Sequence, residues 1–196
     1  MKKALLLVSV LFISVMTTAC INNLAVQELN NKAKAFMEAG DYPSAIERLK
    51  SSIDLDASSY ETHYNLAVAY TKAEDYPNAI KVYNDVIKLN PDFADAYYSL
   101  AVCEENLATD IYNKILTLDE NRNLTKVELT ENEELPSKDE FSENNINYMK
   151  ELWNSSIKHY ELYLKKNATA ADTEEVKSKV EELKLSIEEL TIQEAK

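Results

Sequence analysis

Residues 41–46 read Asp-Tyr-Pro-Ser-Ala-Ile and residues 75–80 read Asp-Tyr-Pro-Asn-Ala-Ile, an echo at an offset of 34 residues. That period is the length of a two-helix repeating unit. Proline suits the first turn of a helix, where its missing N–H would have gone unpaired, and the aspartate before it is placed to cap. Outward from the second copy of the turn, Leu66, Ala67, Tyr70 and Ala73 recur at helical spacing, as do Ile80, Tyr83, Val86 and Ile87. Ala67 and Ala79 are small where the two helix backbones approach. Such a unit cannot bury its apolar face alone and has to stack on neighbours. Gly40, the one glycine of the chain, immediately precedes the first turn, where a left-handed residue commonly ends a helix. The equivalent place in the second copy is Glu74, which predicts either backbone strain or a different turn.

Residues Tyr60–Phe93 carry His63, Leu66-Ala67, Tyr70, Ala79, Tyr83, Val86 and Pro91. Over its full length this segment resembles a tetratricopeptide repeat, with His63 in place of the usual tryptophan and Val86 in place of a usual alanine. Residues Val26–Ser59 match less closely, keeping Leu29, Ala33, Phe36, Gly40, Ala45 and Leu49 but having Lys32 where Leu66 sits and Ala57 for the closing proline. The resemblance implies an all-α fold, a tetratricopeptide-type right-handed helical solenoid of about three repeats (26–59, 60–93 and 94–166).

The third copy opens with Pro91 and Asp95-Ala96-Tyr97-Tyr98-Ser99-Leu100-Ala101, then loses the turn. Leu100, Cys103, Leu107, Ile111, Ile115 and Leu118 keep a spacing of three or four, which predicts one continuous helix from about Phe93 to Leu118. An alternative is a second helix after a shortened turn, because Ile111-Tyr112-Asn113-Lys114 echoes Val82-Tyr83-Asn84-Asp85. Residues 119–140 are acidic, without sustained period, and read as an exposed loop. Ser137-Lys-Asp-Glu140 has capping-box spacing ahead of a stripe of Met149, Leu152-Trp153, Ile157, Tyr160 and Leu164. Its part from Ser156 to Leu164 resembles the second helix of a tetratricopeptide repeat displaced by an insertion. The expectation is an extended helical hairpin tipped by the acidic loop. Asp172-Thr-Glu-Glu175 opens a last helix, 172–195, with Val176, Val180, Leu183, Ile187 and Leu190 on one stripe. This reads as a capping helix for the array, with a short coiled-coil seam as the alternative.

The N-terminus has its own logic. Lys2-Lys3 precedes an apolar run, Ala4–Met16, of 13 residues, which is short for a bilayer span and has the layout of a secretory signal. Thr17-Thr18-Ala19-Cys20 then resembles the bacterial lipobox, which implies cleavage after residue 19, lipid attachment at Cys20 and residence in the cell envelope, the alternative being an ordinary signal peptide with Cys20 incidental. Without Asp after Cys20, the expected site is the outer membrane on its periplasmic side in a two-membrane cell, a one-membrane cell being the alternative. Residues 20–25 form the tether; at ~3.5 Å per residue, Ile21-Asn22-Asn23 reach about 10–15 Å, which predicts that the first repeat lies against the membrane. The full chain carries a net charge of −13. Loss of residues 1–19 leaves 19 basic and 34 acidic residues, a net of −15; that surface repels nucleic acid and anionic headgroups. Cys103 would then be the only other cysteine, expected as a packed thiol.

Catalytic signatures are missing. A chain with one glycine holds no glycine-rich phosphate loop, His63 and His159 lack metal-ligand spacing, and no nucleophile motif surrounds a serine. No cofactor, metal or enzymatic activity is expected. The resemblance instead implies a binding groove along the first helices of successive repeats, lined by Asn30, Lys34, Met37, Tyr64, Asn65, Val68, Thr71, Tyr98, Val102 and Glu105. Tyr64 and Tyr98 either offer aromatic area to a ligand or pack between helices. Chaperone-binding members of the family grip a peptide carboxylate with basic residues of the third repeat, whereas here that repeat supplies Asp95, Ser99 and Glu105. The expected partner is a neutral-to-basic peptide or protein segment of the envelope, and the expected role an interaction scaffold, or alternatively an assembly factor for outer-membrane machinery such as β-barrel assembly or a pilotin-like lipoprotein.

Overall fold

A computed structural model describes residues 23–127 and 141–194. The signal segment, Cys20 and Ile21-Asn22 of the tether lie outside the described residues, as do residues 128–140 with the Ser137–Glu140 capping box. The chain runs α1 (23–38), α2 (Tyr42–Leu55), α3 (Tyr60–Lys72), α4 (Tyr76–Leu89), α5 (Ala94–Tyr112), β1 (Leu116–Leu118), β2 (Leu124–Lys126), α6 (Glu143–Lys166) and α7 (Thr173–Glu194). The described residues divide after Asp75 into two compact units, so the boundary falls in the second Asp-Tyr-Pro turn.

In the first unit α2 packs on α3. Ala33, Ala45, Leu49, Leu66, Ala67, Ala69 and Tyr70 form its buried set; Leu66, Ala67 and Tyr70 belong to the stripe read for α3, Ala69 joins them and Ala73 at the end of the helix is exposed. Asp41 caps α2, its carboxylate accepting the Ser44 N–H at 3.1 Å, and its hydrogen bonds to Ser44 hold its pKa below the usual carboxylate range. The end of α1 is a two-bond left-handed stop: Gly40 N–H donates to Met37 O and Asp41 N–H to Phe36 O, with Gly40 at φ 76°. The end of α3 repeats it. Glu74 N–H donates to Thr71 O and Asp75 N–H to Tyr70 O, and Glu74 sits at φ 58°. The turn is thus kept and Glu74 takes the strained backbone.

In the second unit α4 packs on α5, α5 on α6 and α6 on α7. The expected helix to Leu118 stops early. Lys114 at φ 57° makes a third copy of the same stop, its N–H on Ile111 O and the Ile115 N–H on Asp110 O. With 19 residues against 13 in α3, α5 is six residues longer than its counterpart, extended by the buried residues Leu107, Ala108 and Ile111. Beyond it, Leu116-Thr117-Leu118 pairs antiparallel with Leu124-Thr125-Lys126, Thr117 facing Thr125. Short apolar runs satisfy helical and strand periods alike, and here the alternation buries Leu118 while Ile115 is exposed. Within the segment read as an exposed loop, residues 119–127 form a largely exposed turn and a short strand. Asp119 organises the turn by accepting the N–H groups of Asn121 and Asn123, each at 2.8 Å.

Ser142 is the N-cap of α6, accepting the Asn145 N–H at 3.2 Å. Asn145 then fastens the hairpin to the helix: its Oδ1 accepts the Leu118 N–H and its Nδ2 donates to Thr117 Oγ1. On α7, Val176, Val180, Leu183 and Leu190 are buried, and the helix covers α6 of the same chain, as a capping helix does. The Asp172 carboxylate receives the Tyr163 hydroxyl, at 2.9 Å to one of its oxygens, while its backbone carbonyl accepts the Val176 N–H.

Candidate functional site

Four of the ten groove residues read from the sequence come together in the first unit. Asn30, Lys34 and Met37 on α1 and Asn65 on α3 line one cleft of about 470 Å³. Its floor is apolar, formed by Ala33 and Leu49, each 1% exposed; Asn31 and Glu38 complete the wall. Helical geometry explains the grouping, since Asn30, Lys34 and Met37 are spaced by four and three and share one face. Asn30 Nδ2 donates to Thr62 Oγ1 at 3.1 Å, tying α1 to α3. Thr62 in turn donates to Ser59 Oγ, which also accepts the Thr62 N–H and caps α3. The other Asn30 amide atom, Oδ1, is buried without a donor among the described residues. Lys34 and Glu38 form a loose exposed pair at 3.9 Å.

Tyr64, Val68 and Thr71 are half-buried on α3 and do not line this cleft; the Thr71 hydroxyl donates to Ala67 O. Tyr98, Val102 and Glu105 belong to the second unit. There the Tyr98 ring packs edge-on against Tyr160, with centroids 5.7 Å apart, and lies 5.2 Å from Tyr163. Of the two uses left open for Tyr98, packing between helices is the one this geometry displays. Val102 packs against the core. Glu105 accepts the Tyr160 hydroxyl at 2.7 Å and pairs with Lys179 at 3.6 Å.

The family profile of the tetratricopeptide repeat matches residues 36–103. The fold is the tetratricopeptide one. The second such domain of human RPAP3, solved in complex with the HSP70 peptide SGPTIEEVD, superposes with a TM-score of 0.56 at 15% identity, covering 83% of this chain and 98% of that one. The TPR2B domain of yeast Sti1 in its pHsp70 complex gives 0.56 at 14% identity, covering 83% and 98%. The Arabidopsis OM64 TPR domain gives 0.55 at 10% identity, covering 81% and 96%. At these identities the likeness is one of fold. No curated protein sequence matches the chain.

Against that repeat, the second unit holds a polar cluster that the sequence reading missed. Phe36 and Tyr70, 34 residues apart, are aromatic, and the next position in phase is Glu104. Its carboxylate is buried at 4% exposure. Ser155 Oγ donates to Oε1 at 2.7 Å and His159 Nδ1 lies 2.8 Å from Oε2. A carboxylate only accepts, so Nδ1 carries the proton. Ser156 occupies the place of Ala79 and is fully buried, its hydroxyl donating to Ala101 O at 2.9 Å. The serine bonds to the carboxylate and not to the imidazole, so this is not an arrangement that activates a nucleophile. A glutamate in an aromatic phase was the available signal. Its partners, 51 and 55 residues downstream, were hidden by the insertion.

The Cys103 thiol is fully buried. Among the described residues no group of His, Cys, Asp and Glu could hold a metal ion, and no helix is long and apolar enough to cross a membrane.

Proposed function

We propose that this chain is a protein-interaction scaffold of the bacterial cell envelope, holding a segment of a partner protein in the cleft between α1 and α3. The observation that carries the reading is the convergence of Asn30, Lys34, Met37 and Asn65 on one cleft with an apolar floor. Carboxamides that both donate and accept suit a peptide backbone, and the Ala33–Leu49 floor suits one apolar side chain of that segment. Solved tetratricopeptide domains of the same fold are complexes with HSP70 and HSP90 peptides, which supports peptide binding as the use of the fold. Glu38 on the wall and the overall net charge of −13 favour a neutral-to-basic segment over an acidic one.

The same proposal places the chain on a membrane through a lipid at Cys20, supported by the sequence around that residue. The binding test is site-specific photocrosslinking in cells from Lys34 and from Asn65, with Glu47 on the exposed side of α2 as control. The reading expects a discrete crosslinked partner from the first two positions, weakened at the Lys34 position by Asn65→Ala. Equal labelling from all three positions would sink it. The anchoring test is the mass of the mature chain: Cys20→Ser should lose the lipid and release the protein from membranes, and an unlipidated wild-type chain refutes that half.

A further inference from the structure

A second cavity, of about 180 Å³, opens in the second unit where α5, α6 and α7 meet. It is lined by Thr109, Tyr112, Trp153, Ser186, Glu189 and Leu190. Two of its walls are aromatic, Tyr112 and Trp153 lying 6.2 Å apart between centroids and tilted by 52°. The polar groups around it are unevenly matched. Thr109 Oγ1 donates to Glu105 O and Ser186 Oγ to Glu182 O, so both hydroxyls have spent their protons and retain only accepting lone pairs. The Glu189 carboxylate also only accepts, and it makes no ion pair among the described residues. Three acceptors and the Tyr112 and Trp153 rings therefore line the space; the Trp153 ring is 4% exposed and its Nε1 finds no acceptor among the described residues.

We propose that this cavity is a binding site for a protonated nitrogen group, an alkylammonium or guanidinium on a short stem. Its N–H bonds go to Glu189, Ser186 and Thr109, and its charge rests against the Tyr112 and Trp153 rings, which attract cations through their quadrupoles. The Leu190 side chain, 1% exposed, takes the stem. An anion is disfavoured by Glu189, and a purely apolar occupant would forgo the charge-assisted bond to that carboxylate. The site lies wholly in the second unit and does not depend on the α1–α3 cleft.

The test is direct because Trp153 is the only tryptophan of the chain, so all indole fluorescence comes from a wall of this cavity. The full chain is titrated with n-butylammonium, with a blocked lysine amide and a blocked arginine amide, and with n-butanol and butyrate as neutral and anionic probes of matching stem. A short blocked peptide with a single lysine completes the series. Saturable change with the cationic probes alone, weakened roughly tenfold in Glu189→Gln as one charge-assisted bond is lost, is the expected result. Binding of the free amine but not of the peptide identifies a small-molecule amine; binding of both identifies a side chain of a polypeptide. Equal response to n-butanol, unchanged affinity in Glu189→Gln, or no saturable response to any cation overturns the proposal. Glu189 is exposed, so its variant should keep the wild-type helicity and melting temperature, and calorimetric titration provides a readout independent of the indole.

Discussion

Removing His159 should destabilise the second unit far more than removing the whole Glu104–His159 pair. The Glu104 side chain is 6% exposed and that of His159 15%, with 2.8 Å between Oε2 and Nδ1. His159→Ala leaves the Glu104 carboxylate buried with the Ser155 hydroxyl alone, and opens space beside the Tyr97 ring, whose centroid lies 6.3 Å from the imidazole. A hydrogen bond to a buried charged group is worth about 1.5–3 kcal/mol, and stripping one partner from a buried pair costs about 3–5 kcal/mol. Since Ser155 still satisfies one oxygen, the lower end applies, about 3 kcal/mol. For a chain of this size that lowers the melting temperature by roughly 6–12 °C. Glu104→Met together with His159→Leu removes both desolvated groups and should come within about 1 kcal/mol of wild type, because apolar replacement of a buried pair is often neutral or better. Urea unfolding followed by Trp153 fluorescence measures both. A single variant that loses less than about 1 kcal/mol, or a double variant that loses as much as the single, would refute the reasoning and mean that water already solvates the carboxylate.

Three further outcomes follow from individual residues. At the matched helix ends, Gly40→Ala should cost about 1 kcal/mol from left-handed backbone alone, since an added Cβ would meet nothing within 4 Å; Glu74→Gly should stabilise by roughly 0.5–1 kcal/mol, both read from thermal melts. Asn145→Ala orphans the Leu118 N–H, so it should cost about 1–3 kcal/mol and sharply raise hydrogen exchange at Leu118 while leaving α7 protected. Burial, reinforced by hydrogen bonds to Glu105 and Asp172 respectively, raises the hydroxyls of Tyr160 and Tyr163 above the ordinary tyrosine range. The folded chain then holds protons that the unfolded chain releases above about pH 10, so their contribution is complete below that pH and is lost as pH rises beyond it. Phenolate absorbance and circular dichroism should show these two groups ionising only as helicity is lost.

The helices of the repeats were legible because a period of 34 residues leaves the same small, apolar and turn residues at the same phases, and burial at Ala33, Ala67 and Ala101 obeys it. The cleft residues Asn30, Lys34, Met37 and Asn65 were legible for the same reason, because a helix face is a matter of spacing. Tyr98, Val102 and Glu105 occupy the corresponding face of α5, but α6 and α7 supply the tyrosines and the lysine that engage that face, and no phase rule reports what a downstream helix covers. The early stop of α5 was hidden because Lys114 adopts a backbone that its residue type gives no cause to expect. The β-hairpin was hidden because Leu116, Leu118 and Leu124 fit an apolar stripe and an alternating strand equally well.

The third repeat differs from the first in what sets the pairing of its helices. In the first repeat the turn does it: Gly40 in a left-handed backbone, Asp41 as cap and Pro43 leave α1 and α2 little freedom to slide. Between α5 and α6 that constraint is gone, since residues 113–142 intervene. An apolar seam alone tolerates a slip of one turn, about 5.4 Å, with modest loss. The polar bonds do not. Ser156 to the Ala101 carbonyl, Ser155 and His159 to Glu104, Tyr160 to Glu105, and Asn145 to Thr117 and Leu118 are all satisfied in one register. A slip of one turn would leave a buried carboxylate and a buried serine without partners, each a cost of kcal/mol size. The glutamate at an aromatic phase thus lowers the burial energy available to this repeat and raises the specificity of its assembly, compensating for the tight turn it lacks.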